Sequence, residues 1–483
     1  MKFYLLLILI TATKTQASCQ IQGPRMNGGD ILRRILETAV ACPASVQELK
    51  ELFGSDGLRA LPAMVANRGF HNPKQGSFSI FESVKGYSRS LNLTVLPEHL
   101  YFGHFTGVNS KNEVVLDQAP APNKLLIEAI AYDFLTGVYN FYELIGTSQG
   151  PVWFFRGNSV DAFEDNKFLK LGQTNQFGTR MRCSACHNSG GPIMKEISFP
   201  HNDWWTKTRG LPFGKKKASA ELQKYLGEFV DASEFSKSVA RGMQLLQKRN
   251  ISAGRSLKEK LKPLFCSTEI NLESTPFPLS APTTLLEISS ESFVDPLLVK
   301  PAFLKMSKEL YARTLNTLGS KFPETNLLDA DHAFLSPVRA KVHHIQVREL
   351  INQRVIDEEF ALDVLSVDFM NPLFSSSRCE LLKLIPEVSQ WREEFKVKLL
   401  SMNTTHSIDL GQKLETVDGP LHKKQAEDYL KRKQAAWADP KSVRDEVLTL
   451  FDLRLSVFGD SISQNPKGQI LEPGFRVIFP VLH

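Results

Sequence analysis

The chain has no apolar run long enough to cross a bilayer as a helix. Its longest, Phe3 to Ile10, is about half of the roughly 20 residues that a spanning helix needs. It has little net charge: 58 Lys plus Arg stand against 52 Asp plus Glu, a formal +6 spread along 483 residues. That is too weak and too dispersed for a nucleic-acid-binding surface. With only six cysteines, the chain is not a disulfide-framed miniprotein. It shows no internal repeat, heptad run or low-complexity tract, so solenoids, coiled coils and disordered tails are set aside. Phosphate-binding glycine loops, dinucleotide fingerprints and serine-hydrolase elbows are missing as well. What is present is an ordinary globular composition, 42% hydrophobic, 10% aromatic and 23% charged. At roughly 100 to 200 residues per domain it should fold as two to four units.

The N-terminus reads as a targeting segment. Lys2 precedes the Phe3 to Ile10 run, and the small and polar residues Thr11 to Ser18 follow, the pattern of a secretory signal peptide over residues 1–18. Thr15-Gln16-Ala17 suits cleavage before Ser18. The mature chain is therefore expected in the bacterial periplasm or outside the cell. Cys19 comes directly afterwards and offers an alternative, a lipid anchor on that cysteine. Polar Gln16, three places before it, departs from the aliphatic residue that bacterial lipoprotein sites carry.

Two of the six cysteines form part of the string Cys183-Ser184-Ala185-Cys186-His187. Cys-x-x-Cys-His is the c-type haem attachment motif: both thiols add to haem vinyl groups as thioethers, and the adjacent imidazole reaches the iron. Two intervening residues let both sulfurs meet one edge of the macrocycle while the next side chain turns beneath the ring. At this cysteine and histidine content, independent placement would create such a string in on the order of 1 in 1,000 sequences. Two plainer readings remain. One is a disulfide or redox dithiol, and the other is half of a zinc site, for which the sequence offers no second ligand pair beyond the adjacent His343-His344. Removing Cys183 and Cys186 leaves Cys19, Cys42, Cys266 and Cys379, an even set for two disulfides in an oxidising compartment. Of three pairings, Cys19 with Cys42 and Cys266 with Cys379 is favoured, since it staples the N-terminus and ties the C-terminal half.

On Cys183, Cys186, His187 and the export signal, the chain resembles the c-type cytochromes. The resemblance is local. A small cytochrome carries its motif near the start of about 100 residues, and the dihaem peroxidases carry two motifs where this chain has one. It implies one covalent haem c with His187 as proximal iron ligand, and single-electron transfer with a redox partner protein, without saying which partner or which oligomeric state. The distal ligand is expected first from Met194, then from His201 or from Met181, Met243 or His104, or from no side chain at all. Met194 follows Gly190-Gly191-Pro192, which break any helix after His187. An open iron position would instead make a haem enzyme or sensor, peroxidase-like in chemistry. A secreted interaction protein with a Cys183–Cys186 disulfide and no haem is the third reading. Trp204, Trp205, Phe199, Ile193 and Trp153-Phe154-Phe155 are candidate pocket walls, and Arg156, Arg180 and Arg182 are candidate propionate partners.

The hydrophobic periodicity predicts an α+β chain. Residues 27–66 read as helical, with Ile31, Leu32, Ile35, Leu36 and Val40 at helical spacing and a second start at Pro43. From about Phe78 to Phe155, aromatic and β-branched runs separated by turn residues predict a meander of six or seven strands, either an open sheet or a partly closed barrel. Asp133 to Gly137 reads as a hairpin loop within it. A loop-rich segment carries the haem motif, and the remaining chain reads as mainly helical, with helices at 219–249, 254–265, 301–318, 341–366, 378–401, 422–437 and 442–457. The units are 1–18, signal peptide; 19–70, helical; 71–160, β-rich; 161–215, haem-binding; and 216–483, mainly helical.

Overall fold

A computed structural model of the protein describes residues 19–23, 29–65, 79–116, 122, 125–164, 187, 189–192, 216–228, 230, 232–266, 270–273, 283–318, 336–339, 341–368, 371, 375–416 and 419–449. It is an α+β protein. Two short helices open it: α1 (Ile31–Thr38) and α2 (Val46–Ser55). Asp30 starts α1 by accepting from Arg33 N at 2.9 Å, and Ser45 starts α2 by accepting from Glu48 N at 3.1 Å, each satisfying a donor that the first turn cannot pair internally. Ile31, Leu32, Ile35 and Leu36 share one buried stripe on α1, and Leu49 and Phe53 do so on α2.

The chain then enters a nine-stranded sheet built from β1 (Leu58–Val65), β2 (Ser79–Ser88), β3 (Leu93–Val95), β4 (Leu100–Val108), β5 (Glu113–Leu116), β6 (Leu125–Asp133), β7 (Val138–Thr147), β8 (Gly150–Asn158) and the short β9 (Lys217–Ala218). The main path runs β1-β2-β4-β6-β7-β8, every neighbour antiparallel; β3 pairs β2, β5 pairs β4, and β9 lies parallel to β5. Among the described strands the path is open, with β1 and β8 as its ends. Both end strands are covered by short passing segments. Gln22 exchanges backbone bonds with Trp153 and Phe155 of β8, and Val230 N donates to Pro62 O of β1 at 2.7 Å. The Asp133–Gly137 loop closes the β6–β7 hairpin as expected, with Gly137 N donating to Asp133 O at 2.8 Å.

Side chains alternate between the two faces of the sheet. One face packs Val84, Phe102, Ala129, Leu144 and Trp153 against α1 and α2. On the other, Phe81, Tyr101 and Tyr139 meet α5 (Ala232–Ser252), which follows α3 (Ser159–Glu164) and α4 (Ala220–Leu226) in the chain. Phe235, Val239, Met243 and Leu246 give α5 its buried stripe, and Tyr101 donates its hydroxyl to Ser238 O at 2.8 Å. The C-terminal half continues with α6 (Leu257–Phe265), α7 (Lys308–Thr317), α8 (Lys341–Asn352), α9 (Glu358–Ser366), α10 (Ser376–Leu381), α11 (Trp391–Met402), α12 (Thr405–Lys413) and α13 (Gly419–Ala436). Phe265, Phe360 and Phe395 meet in its core in tilted and edge-to-face contact, with ring centroids 6.0 to 6.4 Å apart.

Two expectations need correction. Residues 58–65, inside the stretch read as helical, form β1: Pro62 cannot donate within a helix, whereas on an end strand its missing N–H costs no ladder bond. The C-terminal half also holds two small antiparallel sheets, β11 (Leu285–Ser289) with β12 (Phe303–Ser307) and β10 (Ile270–Glu273) with β13 (Ser336–Arg339). As a result the helix expected over 301–318 begins only at Lys308. Among the described residues no helix is long and apolar enough to cross a membrane.

The four cysteines outside the haem motif pair as favoured, Cys19 with Cys42 and Cys266 with Cys379, which fits an oxidising compartment. In this pairing the Cys19 sulfur, the one a lipid thioether would use, is bonded to Cys42. The bridges span 23 and 113 residues, and loop-closure entropy makes them worth about 3 and about 5 kcal/mol respectively. Urea unfolding of Cys19→Ala/Cys42→Ala and Cys266→Ala/Cys379→Ala checks this: the second pair should lower the midpoint more.

Candidate haem-ligand site

Of the residues singled out by the motif, His187 lies within the described structure, while Cys183, Cys186 and Met194 lie outside the described residues. So do His201, Met181, Phe199, Ile193, Trp204, Trp205, Arg180 and Arg182. His187 is half-buried and rests on the Phe141 ring of β7, with centroids 5.4 Å apart and planes tilted by 36°. Its Nδ1 lies 2.8 Å from Gly191 O. A carbonyl oxygen only accepts, so Nδ1 carries the proton, and in the neutral ring Nε2 is then the lone-pair nitrogen. A metal-ligating imidazole is commonly held in this way, its second nitrogen donating to a carbonyl that fixes tautomer and ring direction. The donor set at His187 therefore fits a proximal haem ligand.

Three elements hold this segment. Gly190 N donates to His187 O at 2.7 Å, closing a turn in which Gly190 takes φ +75°. A Cβ on Gly190 would stand 2.5 Å from Ser159 O, at the start of α3. Ser159 is tied back to β7, its Oγ accepting from Tyr139 N at 2.8 Å. Gly191 and Pro192 lie on α5, against Met243 and Gly242. The Gly190-Gly191-Pro192 stretch forms a turn and brings the backbone against α3 and α5 where a side chain would not fit.

Other sequence candidates have different roles. Trp153 is buried on the α1/α2 face and donates Nε1 to Pro43 O at 2.9 Å, so it is core and not a wall beside His187. Arg156 is buried with Nε 2.9 Å from Glu143 Oε2, so the propionate role gives way to an ion pair between β7 and β8. His104 is fully buried on β4 with Nε2 2.8 Å from Glu82 Oε1 on β2.

The Glu82–His104 pair belongs to a buried cluster that the sequence reading missed. Lys50 Nζ of α2 lies 3.1 Å from Glu82 Oε2, and the Tyr225 hydroxyl of α4 donates to Glu82 Oε1. Burial opposes the charged form of Glu82. The His104 hydrogen bond and charge, then Lys50 and Tyr225, outweigh it and hold the carboxyl below its ordinary range. Burial and the facing carboxylate push the Tyr225 hydroxyl up. The readable signal was a carboxylate at an inward-facing strand position, between Ile80 and Val84 of the buried face.

Metal binding, expected alongside the haem motif, is corrected for the side chains described. Among the described residues no three His, Cys, Asp or Glu side chains stand together so as to hold a metal ion. The imidazoles are dispersed: His104 is committed to Glu82, His422 lies 2.9 Å from Asp363, His344 lies 3.6 Å from Asp295, and His99 accepts from Leu96 N at 3.1 Å. Four cysteines are held in disulfides. No protein-family model, curated protein or solved structure matches the chain.

Two stability outcomes follow from these contacts. Gly190→Ala should cost about 1–3 kcal/mol, because the new Cβ meets Ser159 O at a left-handed backbone position. Thermal unfolding of the variant measures it. Glu82→Gln should cost about 3 kcal/mol or more at neutral pH by stranding its partners. Since the folded pKa of Glu82 is depressed, its stabilisation is present above the unfolded carboxylate value and is lost as pH falls through the folded one. Urea midpoints of wild type and Glu82→Gln should therefore converge below about pH 4.

Proposed function

We propose that the protein is an exported monohaem c-type cytochrome-like protein that passes single electrons to or from a redox partner protein. Cys183 and Cys186 hold one haem c through thioethers, and His187 supplies the proximal nitrogen. The observation that carries this reading is the Nδ1 contact of His187 with Gly191 O at 2.8 Å. It fixes the proton on Nδ1 of the very histidine that the attachment motif designates, the tautomer that a metal-ligating imidazole takes.

Bound haem supplies one-electron exchange between its ferric and ferrous states. The chain's own residues do the rest. The Cys183 and Cys186 thiols anchor the group to the backbone, so that it stays in place through many turnovers. The Gly191 carbonyl keeps the His187 proton on Nδ1, and Phe141 lies against the imidazole and limits its rotation. Met194, two residues beyond Pro192, is the first candidate for the sixth position.

Protein made with haem-attachment machinery should stain for haem on a denaturing gel, since thioethers survive denaturation and acid-acetone extraction. Cys183→Ala/Cys186→Ala should lose the stain. A six-coordinate carrier leaves the ferrous spectrum unchanged on adding carbon monoxide, whereas a shift points to the haem enzyme or sensor. Colourless wild-type protein with a Cys183–Cys186 disulfide overturns the proposal and leaves the secreted interaction protein.

A further inference from the structure

Gly191 and α5 meet more closely than a side chain at position 191 permits. A Cβ there would stand 1.9 Å from Met243 Sδ and 2.7 Å from its terminal methyl, so the thioether occupies the place that side chain would fill. The approach is reciprocal. A Cβ on Gly242 would stand 2.9 Å from Pro192 Cγ, with the Tyr139 and Tyr101 hydroxyls at 2.5 and 3.0 Å. Gly191 thus receives Met243, and Gly242 receives Pro192. Met243 is 1% exposed and packed among Phe235, Val239 and Leu246 of its own helix and Tyr101 and Tyr139 of the sheet. Its sulfur cannot withdraw without opening a cavity.

We infer that Met243 is a positioning residue for His187: seated in the recess at Gly191, its thioether fixes the direction of the Gly191 carbonyl and so holds the imidazole with its proton on Nδ1. The purpose of this arrangement rests on the haem reading above, while its geometry does not. The same packing removes Met243 from the candidates for the sixth iron ligand. With a bond length of about 1.5 Å added to the 1.9 Å contact, Sδ lies within about 3.5 Å of Gly191 Cα. Seated at Gly191, whose carbonyl faces Nδ1, this sulfur would not be the group that holds a haem carried on Nε2.

The test uses the full chain carrying Cys183→Ala/Cys186→Ala, which has no thiols for haem attachment, labelled with ¹⁵N-histidine. The His187 signal is identified among the 11 histidines by its disappearance in His187→Gln. The parent should show a protected Nδ1 proton on His187. Met243→Leu, which keeps the bulk, should retain it. Met243→Ala and Gly191→Ala should speed its exchange with water at least tenfold, with far-ultraviolet circular dichroism unchanged. Should Met243→Ala lose the fold, Met243→Val, which keeps part of the bulk in the core but is too short to reach the recess at Gly191, gives the same reading. An unprotected Nδ1 proton in the parent, or parental exchange in Met243→Ala or its substitute, overturns the inference. In haem-loaded protein, Met243→Leu should leave the optical spectrum and carbon monoxide response at wild-type values, and loss of an axial-ligand signature would make Met243 the ligand instead. If wild type carries no haem while the Nδ1 proton behaves as stated, the proposed function fails and the positioning role stands.

Discussion

The close approach between the Gly190–Pro192 backbone and α5 is the constraint on which the His187 site depends. An imidazole on a loop is free to rotate and to carry its proton on either nitrogen. Here one hydrogen bond settles both, and that bond is only as well defined as the carbonyl that accepts it. The Gly191 carbonyl is defined because three elements that are rigid for their own reasons converge on its segment: β7 through Phe141, α3 through Ser159, and α5 through Gly242 and Met243. Glycine serves here by permitting contact. At 191 and 242 it gives up side-chain burial, and the neighbouring Met243 and Pro192 supply that burial from the opposite side.

The remaining framework keeps those three elements in register. The α1/α2 face of the sheet carries a large apolar core together with the enclosed Glu82–His104–Lys50–Tyr225 cluster. A buried carboxylate with several partners loses heavily if one of them moves, so the cluster pins α4 and α2 to β2 and β4 in a single arrangement. The α5 face does the complementary work. Tyr101 and Tyr139 both donate their hydroxyls to backbone carbonyls, Ser238 O and Glu98 O. The first bond ties the long helix to β4, and the second ties β7, the strand that carries Phe141, to the turn before β4. Of the two disulfides, one joins the first described residue to Cys42 within the α1/α2-face core and the other joins the end of α6 to α10. They brace the N-terminal segment and the helical half, while hydrogen bonds and packing hold the described part of the His187 site.

Much of this was legible in the sequence, because its signals are local. Alternating aromatic and β-branched runs marked the strands, Asp133 and Gly137 marked the hairpin, and the spacing of Ile31, Leu32, Ile35 and Leu36 marked α1. Cysteine parity and nearness favoured both disulfides. The reading went wrong where tertiary context overrode local pattern. Leu58 to Val65 is apolar enough for either period, and only pairing with β2 decides for a strand. The short strands at 285–289 and 303–307 pair with each other across an intervening segment that no local rule reveals. At the site, the motif named His187, but the partner of its Nδ1 could not be read from it. Met243, considered as a ligand on its chemistry alone, lies against Gly191, whose carbonyl holds the His187 ring.

The size of the chain, puzzling for a protein with one attachment motif, has a physical account in these contacts. A small cytochrome must bury its haem and orient its histidine within about a hundred residues, so local helices do both. Here the supports of His187 are distant in sequence: Phe141 lies 46 residues before it and Met243 lies 56 residues after it. Neither is a stable surface alone. β7 is a central strand that needs neighbours on both sides, and α5 needs the sheet beneath it and α8 beside it, where Val342 and Ile345 complete the cluster. An excised segment of residues 161–215 would retain Cys183, Cys186 and His187 but lose every support described here except the Gly191 carbonyl itself. The local string sets which residues stand beside the histidine, and the surrounding sheet and helices supply the direction in which it points.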